Sequence, residues 1–288
     1  MKTAFYSYFS NLVLKDGIEK AAEYAANLGF SAVEFIDVYP KPHVCPDPEA
    51  AREYKATLNA HGLTVACYSV GIPLIQPGNA DYDSESAVRY LEETAKIASE
   101  LGSPFLHHTL IPRFDNGIGV QSIDFPAVLE QLLPYTCRVA DTCAELGLTT
   151  LYEPQGFFVN GKDNFPEFYR KMKCLGKRVG VCGDTGNPVF CAWRPEDFYR
   201  ELAAEIMHVH IKNYRLNTVN PQRKSYTATD GTTITPCFLD EGDIDLRFCL
   251  DTLKGLGYDG AVALEDEYIG DITECLRRDL ITLSGYIS

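Results

Sequence analysis

The stretch EIMHVHIKNYR, residues 205–215, places His208, His210 and Lys212 at alternate positions of an apolar, strand-like run. Side chains two apart on a strand share a face, so two imidazoles and an ammonium aim the same way. Other short apolar runs also end on residues that can do chemistry: Glu34, the pair His107–His108, Glu153, Asp184 and Glu265. Charges that only solubilise would fall in loops, whereas each of these closes a run whose neighbours would be buried. Four of them, Glu153, Asp184, His210 and Glu265, come from consecutive runs, and if they converge, three carboxylates and an imidazole share an apolar mouth. Desolvating like charges together is costly unless a cation is present or protons are taken up. A divalent metal removes the difficulty, and an oxygen-rich set with one imidazole suits Mn²⁺, Mg²⁺ or Co²⁺, with Zn²⁺ compatible. The competing reading is a set of buried salt bridges, for example Glu153 or Glu265 with Lys212.

The elements that must position these residues are announced by a repeat. An amphipathic run ends in Leu-Gly or His-Gly and is followed by a short apolar run ending in a polar residue, as in AEYAANLGFSAVEF, KIASELGSPFLHH and DTCAELGLTTLYE. This is the pattern of a helix stopped by glycine in the left-handed conformation, then a link into a strand. Gly29, Gly62, Gly102, Gly147, Gly176 and Gly257 take that part. Asp16 and Glu19 read as a capping box opening the first helix. Strands are expected near 3–8, 32–36, 64–70, 104–109, 148–153, 179–184, 206–212 and 260–265, with a last helix at about 271–285. Eight apolar strands, each followed by a helix, predict a (β/α)8 TIM barrel forming a single domain over residues 1–288. In such a barrel chemistry sits at the C-terminal strand ends, where the polar residues fall. Residues 213–243 form a long lid-like loop, with SYTATDGTTIT a hairpin signal around Asp-Gly.

Bulk properties narrow the function classes. A net charge of −14 over 288 residues argues against a protein that tracks phosphate backbones. No run approaches the ~18 apolar residues of a membrane helix, and the N-terminus lacks a signal-peptide pattern. Ten scattered cysteines with no C-x-x-C pair fit buried free thiols in a reducing cytoplasm.

The segments LYEPQG, VGVCGDTGN, MHVHIKNYR, DEGDIDL and AVALEDE resemble, in that order, the xylose-isomerase-like TIM-barrel superfamily, in particular its sugar phosphate isomerase/epimerase branch. The resemblance covers essentially the whole chain and implies that Glu153, Asp184, His210 and Glu265 are the four ligands of one divalent metal ion, Mn²⁺ first. It implies further that Glu153 and Glu265 flank the substrate carbon and move its proton. Related epimerases often carry a histidine three residues after the strand-six aspartate, where this chain has Asn187, and an arginine beyond the strand-seven histidine, a place Arg215 could take.

The expected reaction is isomerisation or epimerisation of a sugar or polyol, by proton abstraction beside a carbonyl through a metal-stabilised enediolate. Glu34, His108, Asn187, Lys212 and Arg215 are the candidate substrate-binding residues. Of His107 and His108, adjacent in sequence, at most one faces the pocket. Lys212 could instead be an ion-pair partner, Glu34 a rim salt bridge, and His208 a packed residue behind the site. Trp193 and the strand-five loop PQGFFVNG add apolar surface for packing or for stacking on a sugar. Rival functions are a lyase or dehydratase using the same metal site, a DNA-repair enzyme resembling endonuclease IV, and a binding protein on a retired barrel. The partner is a small molecule, neither nucleic acid nor membrane, and a homo-oligomer is compatible with the superfamily.

Overall fold

In the computed structural model, which describes residues 1–111, 124–155, 161–265 and 270–288, the helix–glycine–strand repeat becomes a closed parallel barrel. Its first half runs β1 (Lys2–Phe5), α1 (Phe9–Asp16), α2 (Ile18–Leu28), β2 (Ala32–Val38), α3 (Pro48–Ala60), β3 (Thr64–Gly71), α4 (Ser84–Leu101) and β4 (Phe105–His108). The second half continues α5 (Phe125–Glu145), β5 (Thr149–Tyr152), α6 (Asn164–Cys174), β6 (Val179–Asp184), α7 (Pro195–Leu202) and β7 (Ile206–Ile211). Three short strands follow, β8 (Asn213–Leu216), β9 (Tyr226–Thr227) and β10 (Thr233–Cys237), then α8 (Leu246–Gly255), β11 (Ala261–Leu264) and α9 (Ile272–Ile287). The barrel order is β1-β11-β7-β6-β5-β4-β3-β2, so the (β/α)8 expectation holds, with β11 as the eighth barrel strand.

All six predicted stop glycines have positive φ, between 72° and 98°, the region where a Cβ would be strained. The start of the first helix differs from the sequence reading. Asp16 caps nothing: it is the last residue of α1, and Gly17 (φ 84°) separates α1 from α2, whose N-cap has no side-chain bond. Glu19 pairs outward with His61 at 2.9 Å instead of reaching back. The lid-like loop is also revised, because residues 213–237 form an antiparallel sheet ordered β8-β10-β9. Its β9–β10 hairpin turns at Asp230–Gly231 as the alternation predicts. Phe190, after β6, meets Tyr214 and Tyr226 edge-to-face at 6.0 and 5.6 Å, which seats this sheet beside the end of β6.

Strand alternation sorts the side chains. Outward residues such as Phe35, Leu106, Tyr152, Val181, Val209 and Ile211 join the main apolar core under the helices. Inside the barrel lie small residues, Ala4, Ala32, Ala66 and Ala263, and a second small cluster of Cys67, Leu151 and Cys182. Small inward side chains at the lower layers leave volume for larger polar ones above them. The ten cysteines are free thiols, and most are buried as expected, but Cys174 is exposed at the end of α6. No helix among the described residues is long and apolar enough to cross a membrane.

Candidate active site and metal centre

The polar strand ends converge where the sequence placed them. On β7, His208 and His210 are buried inside the barrel, Lys212 follows in the same direction, and Val209 and Ile211 face the helices. Parallel pairing sets Asp184 of β6 beside His210, and His210 beside Ala263 of β11, so Glu265 emerges just above. His210 Nδ1 lies 2.9 Å from Glu153 Oε2 and 3.3 Å from Glu265 Oε2. Lys212 Nζ bridges Asp184 Oδ2 and Glu265 Oε1, each at 2.9 Å. Asp184 Oδ1 accepts the backbone N–H groups of Gly186 and Asn187, both at 2.6 Å. The Asn187 side-chain amide donates to Glu153 Oε1.

Below this layer Glu34, fully buried on β2, accepts from Ser69 Oγ at 2.5 Å, from His208 Nε2 at 2.6 Å and from His210 Nε2 at 2.9 Å. Tyr6, just past β1, stacks on the His210 ring with centroids 4.6 Å apart. His107 turns inward, its Nδ1 2.9 Å from Ser69 Oγ and its Nε2 3.3 Å from Glu153 Oε2.

The electrostatics show how short of positive charge the pocket is. Burial pushes Asp184 up, Lys212 pulls it down, and Glu153 with Glu265 push it up again, leaving it at about 7. Burial works against the charge on His210, yet Cys182, Glu34 and Glu153 hold its imidazole proton well above the ordinary range. That proton, between Nδ1 and Glu153, occupies the direction a cation would take. Burial also opposes Lys212, but Asp184 and Glu265 keep it charged. Burial raises Glu34 and Glu265, and this is outweighed by His210 and His208 for the first and by Lys212 and His210 for the second. His107 is pushed down to about 4, chiefly by burial.

The donor set fits a divalent ion. One ligand atom from each of Glu153, Asp184, His210 and Glu265 lies within 4.8 Å of the others. Three carboxylates and one imidazole, partly neutralised by a single lysine, form a hard, oxygen-rich set. Held between them, an ion would relieve the proton on His210 and the raised Asp184.

Not every expected substrate contact reaches the pocket. His108 points outward: its Nδ1 bonds the Thr109 carbonyl at 2.8 Å and its ring meets Tyr152 edge-to-face. Because Phe105 faces in, alternation along β4 puts His107, not His108, in the pocket. Arg215 lies on the exposed face of the small sheet, 3.5 Å from Asp243 Oδ1. Glu34 is no rim residue, since its carboxylate is wrapped by protein donors. Trp193 is packing, edge-to-face on Phe198 at 5.1 Å. The PQGFFVNG surface falls largely on residues 156–160, outside the described residues. Tyr6 and Ser69 were not singled out from sequence, although inward parity after Ala4 and Cys67 marks both.

Gly186 keeps this packing close. A Cβ there would come 2.8 Å from Lys212 Cγ and 2.5 Å from the Tyr214 ring. Gly186→Ala should therefore displace Lys212 from Asp184 and lower stability by about 1–3 kcal/mol. A thermal melt should show Tm lower by roughly 2–10 °C; an unchanged Tm would mean the ring and lysine have room the geometry denies.

Comparison with known proteins agrees with this architecture. The profile of the xylose isomerase-like TIM barrel family matches residues 22–280. The rhizopine catabolism protein MocC of Rhizobium meliloti is 27% identical over 132 residues, 45% of this chain and 40% of that protein, so the match spans less than half of the relative. Among solved structures, L-ribulose 3-epimerase superposes with a TM-score of 0.71 at 16% identity, covering 99% of this chain and 94% of its own. The probable 3-DHS dehydratase AsbF of Bacillus anthracis gives 0.71 at 14%, covering 99% of both chains. A Mycobacterium smegmatis barrel in complex with magnesium gives 0.67 at 18%, covering 94% and 89%. Identities this low establish a shared fold. With the family profile spanning most of the chain and the closed eight-stranded barrel formed, the protein belongs to the xylose isomerase-like TIM barrel family.

Proposed function

We infer that the protein is a divalent-metal-dependent isomerase or epimerase of a small sugar or polyol. The observation that carries this reading is the placement of two buried-to-half-buried glutamates, Glu153 and Glu265, against one imidazole nitrogen, with Asp184 beside them. Glu153, Asp184, His210 and Glu265 would hold the ion, with manganese the first candidate for this oxygen-rich set. Bound there, it would supply Lewis-acid polarisation of a substrate carbonyl.

The protein's own groups do the rest. Asn187 pins one oxygen of Glu153, and Lys212 holds Glu265 and Asp184, which fixes the two glutamates relative to one another. One can remove a proton from the carbon beside the carbonyl while the other returns a proton to the opposite face, inverting that centre. If a single carboxylate serves two neighbouring carbons, the outcome is isomerisation. Lys212 thus acts first as an ion-pair partner, and His107 takes the substrate-facing place expected of His108. Ten free thiols fit a reducing, cytoplasmic setting.

The test is a screen of ketoses, aldoses and inososes with the manganese-loaded protein in deuterated water. Solvent deuterium appearing on carbon in a product of unchanged composition supports the reading. A product that has lost water assigns elimination from the same site, and no exchange with any of them counts against it.

A further inference from the structure

The carboxylate of Glu34 is used entirely within the protein. Oε1 receives Ser69 Oγ at 2.5 Å and His210 Nε2 at 2.9 Å, and Oε2 receives His208 Nε2 at 2.6 Å. A carboxylate can only accept, so all three partners must donate. Ser69 has one proton and gives it to Glu34, so its 2.9 Å contact with His107 Nδ1 needs that nitrogen to be the donor. The contacts close into a ring: Glu34 to Ser69, to His107, to Glu153 Oε2, to His210 and back to Glu34.

Counting protons around the ring leaves each imidazole with one assigned face. His210 carries a proton on Nε2 toward Glu34, and its Nδ1 faces Glu153 and Glu265, where a bound ion would replace the second proton. His107 is protonated at Nδ1 and turns Nε2 to Glu153. An independent observation agrees: His107 Nε2 is buried and makes no hydrogen bond among the described residues, although Glu153 Oε2 is 3.3 Å away.

Resting on the metal reading above, we propose that Glu34 is a positioning residue, which sets the tautomer of His210 directly and of His107 through Ser69. With an ion bound, both rings would then turn an unprotonated nitrogen to the reaction pocket, Nδ1 of His210 and Nε2 of His107. Glu34, His208 and His210 also lie close enough to hold an ion themselves, but that trio has a single carboxylate, already accepting from Ser69 and both imidazoles, and is poorer in oxygen than the set above it. This gives Glu34 a role other than substrate binding, and it gives His107 the character of an acceptor for a substrate hydroxyl. Orienting partners of a metal-bound histidine commonly change metal affinity by about 10–100-fold.

The material is zinc-loaded wild-type protein with nitrogen-15-labelled histidine, since zinc is diamagnetic and accepts mixed ligands. Long-range proton–nitrogen spectra should place protons on Nε2 of His208 and His210 and on Nδ1 of His107. A proton on Nδ1 of His210 or on Nε2 of His107 would overturn the proposal with no substitution needed. In Glu34→Gln the amide must turn a donor toward one of the three partners, so at least one imidazole should change tautomer and Zn²⁺ binding should weaken about 10–100-fold. A folded Glu34→Gln protein with the wild-type pattern and affinity overturns it. Ser69→Ala should unlock His107 alone and leave zinc affinity within about twofold; a loss as large as that of Glu34→Gln refutes Glu34 as the hub. Wild-type protein that takes up no zinc would sink the metal reading instead. The hub is then judged in that protein on the protons of His107 and His208.

Discussion

Replacing Glu265 with glutamine should reduce turnover by about 10³–10⁴-fold while the barrel remains folded. Glu265 sits just past β11 with Oε1 on Lys212 and Oε2 beside His210, and its side chain is a quarter exposed. Glutamine keeps the shape and one acceptor, so the packing survives. It removes the charge and the basicity that proton transfer needs. Lys212 retains Asp184 at 2.9 Å, which prevents an orphaned ammonium. Asp184 should ionise more readily, because one of the carboxylates that raise its pKa is gone. The measurement is steady-state turnover on the substrate found by deuterium exchange, beside a thermal melt. Activity within about a factor of ten of wild type would remove Glu265 from the mechanism.

His210→Ala should abolish metal retention. The ring is fully buried and contacts Glu153 and Glu265 on one side and Glu34 on the other. On the proposed reading its loss removes an inner ligand, an effect larger than the roughly 10–100-fold of an outer partner. It also leaves Glu34 and Glu153 facing a void where a charge-assisted donor stood. Removing one partner of a buried pair costs about 3–5 kcal/mol, so the metal-free variant should also melt lower. Elemental mass spectrometry should find about one equivalent of manganese, cobalt or zinc in wild type and none in the variant. Unchanged occupancy would mean the ion is held elsewhere.

The parts of the site legible in the sequence were those governed by local periodicity. The step of two along MHVHIK is a property of any extended chain, and it aligned His208, His210 and Lys212 correctly. The Leu-Gly stops are equally local, and all six adopt positive φ. Once eight strands were counted, the rule that barrel chemistry lies at their C-terminal ends collected Glu153, Asp184, His210 and Glu265 together with Glu34, His107, His108, His208 and Lys212, and the family resemblance singled out the four as ligands.

Local parity failed where the start of a strand was ambiguous. His107 and His108 could not be told apart until Phe105 was seen to face inward. The helix α1 was missed because its glycine-terminated end lies next to the start of α2.

From sequence alone, then, came the barrel, the four convergent polar residues and the net charge of −14. The tertiary structure decided what each polar group is paired with. Glu34 meets His208 across 174 residues of sequence, and Ser69 meets His107 across 38. Such partners are chosen by how the closed barrel staggers its strands, including the register shifts at Val33/Glu34 and Val181/Cys182. A one-residue slip turns a strand's side chains to the other face, so no local pattern carries that information.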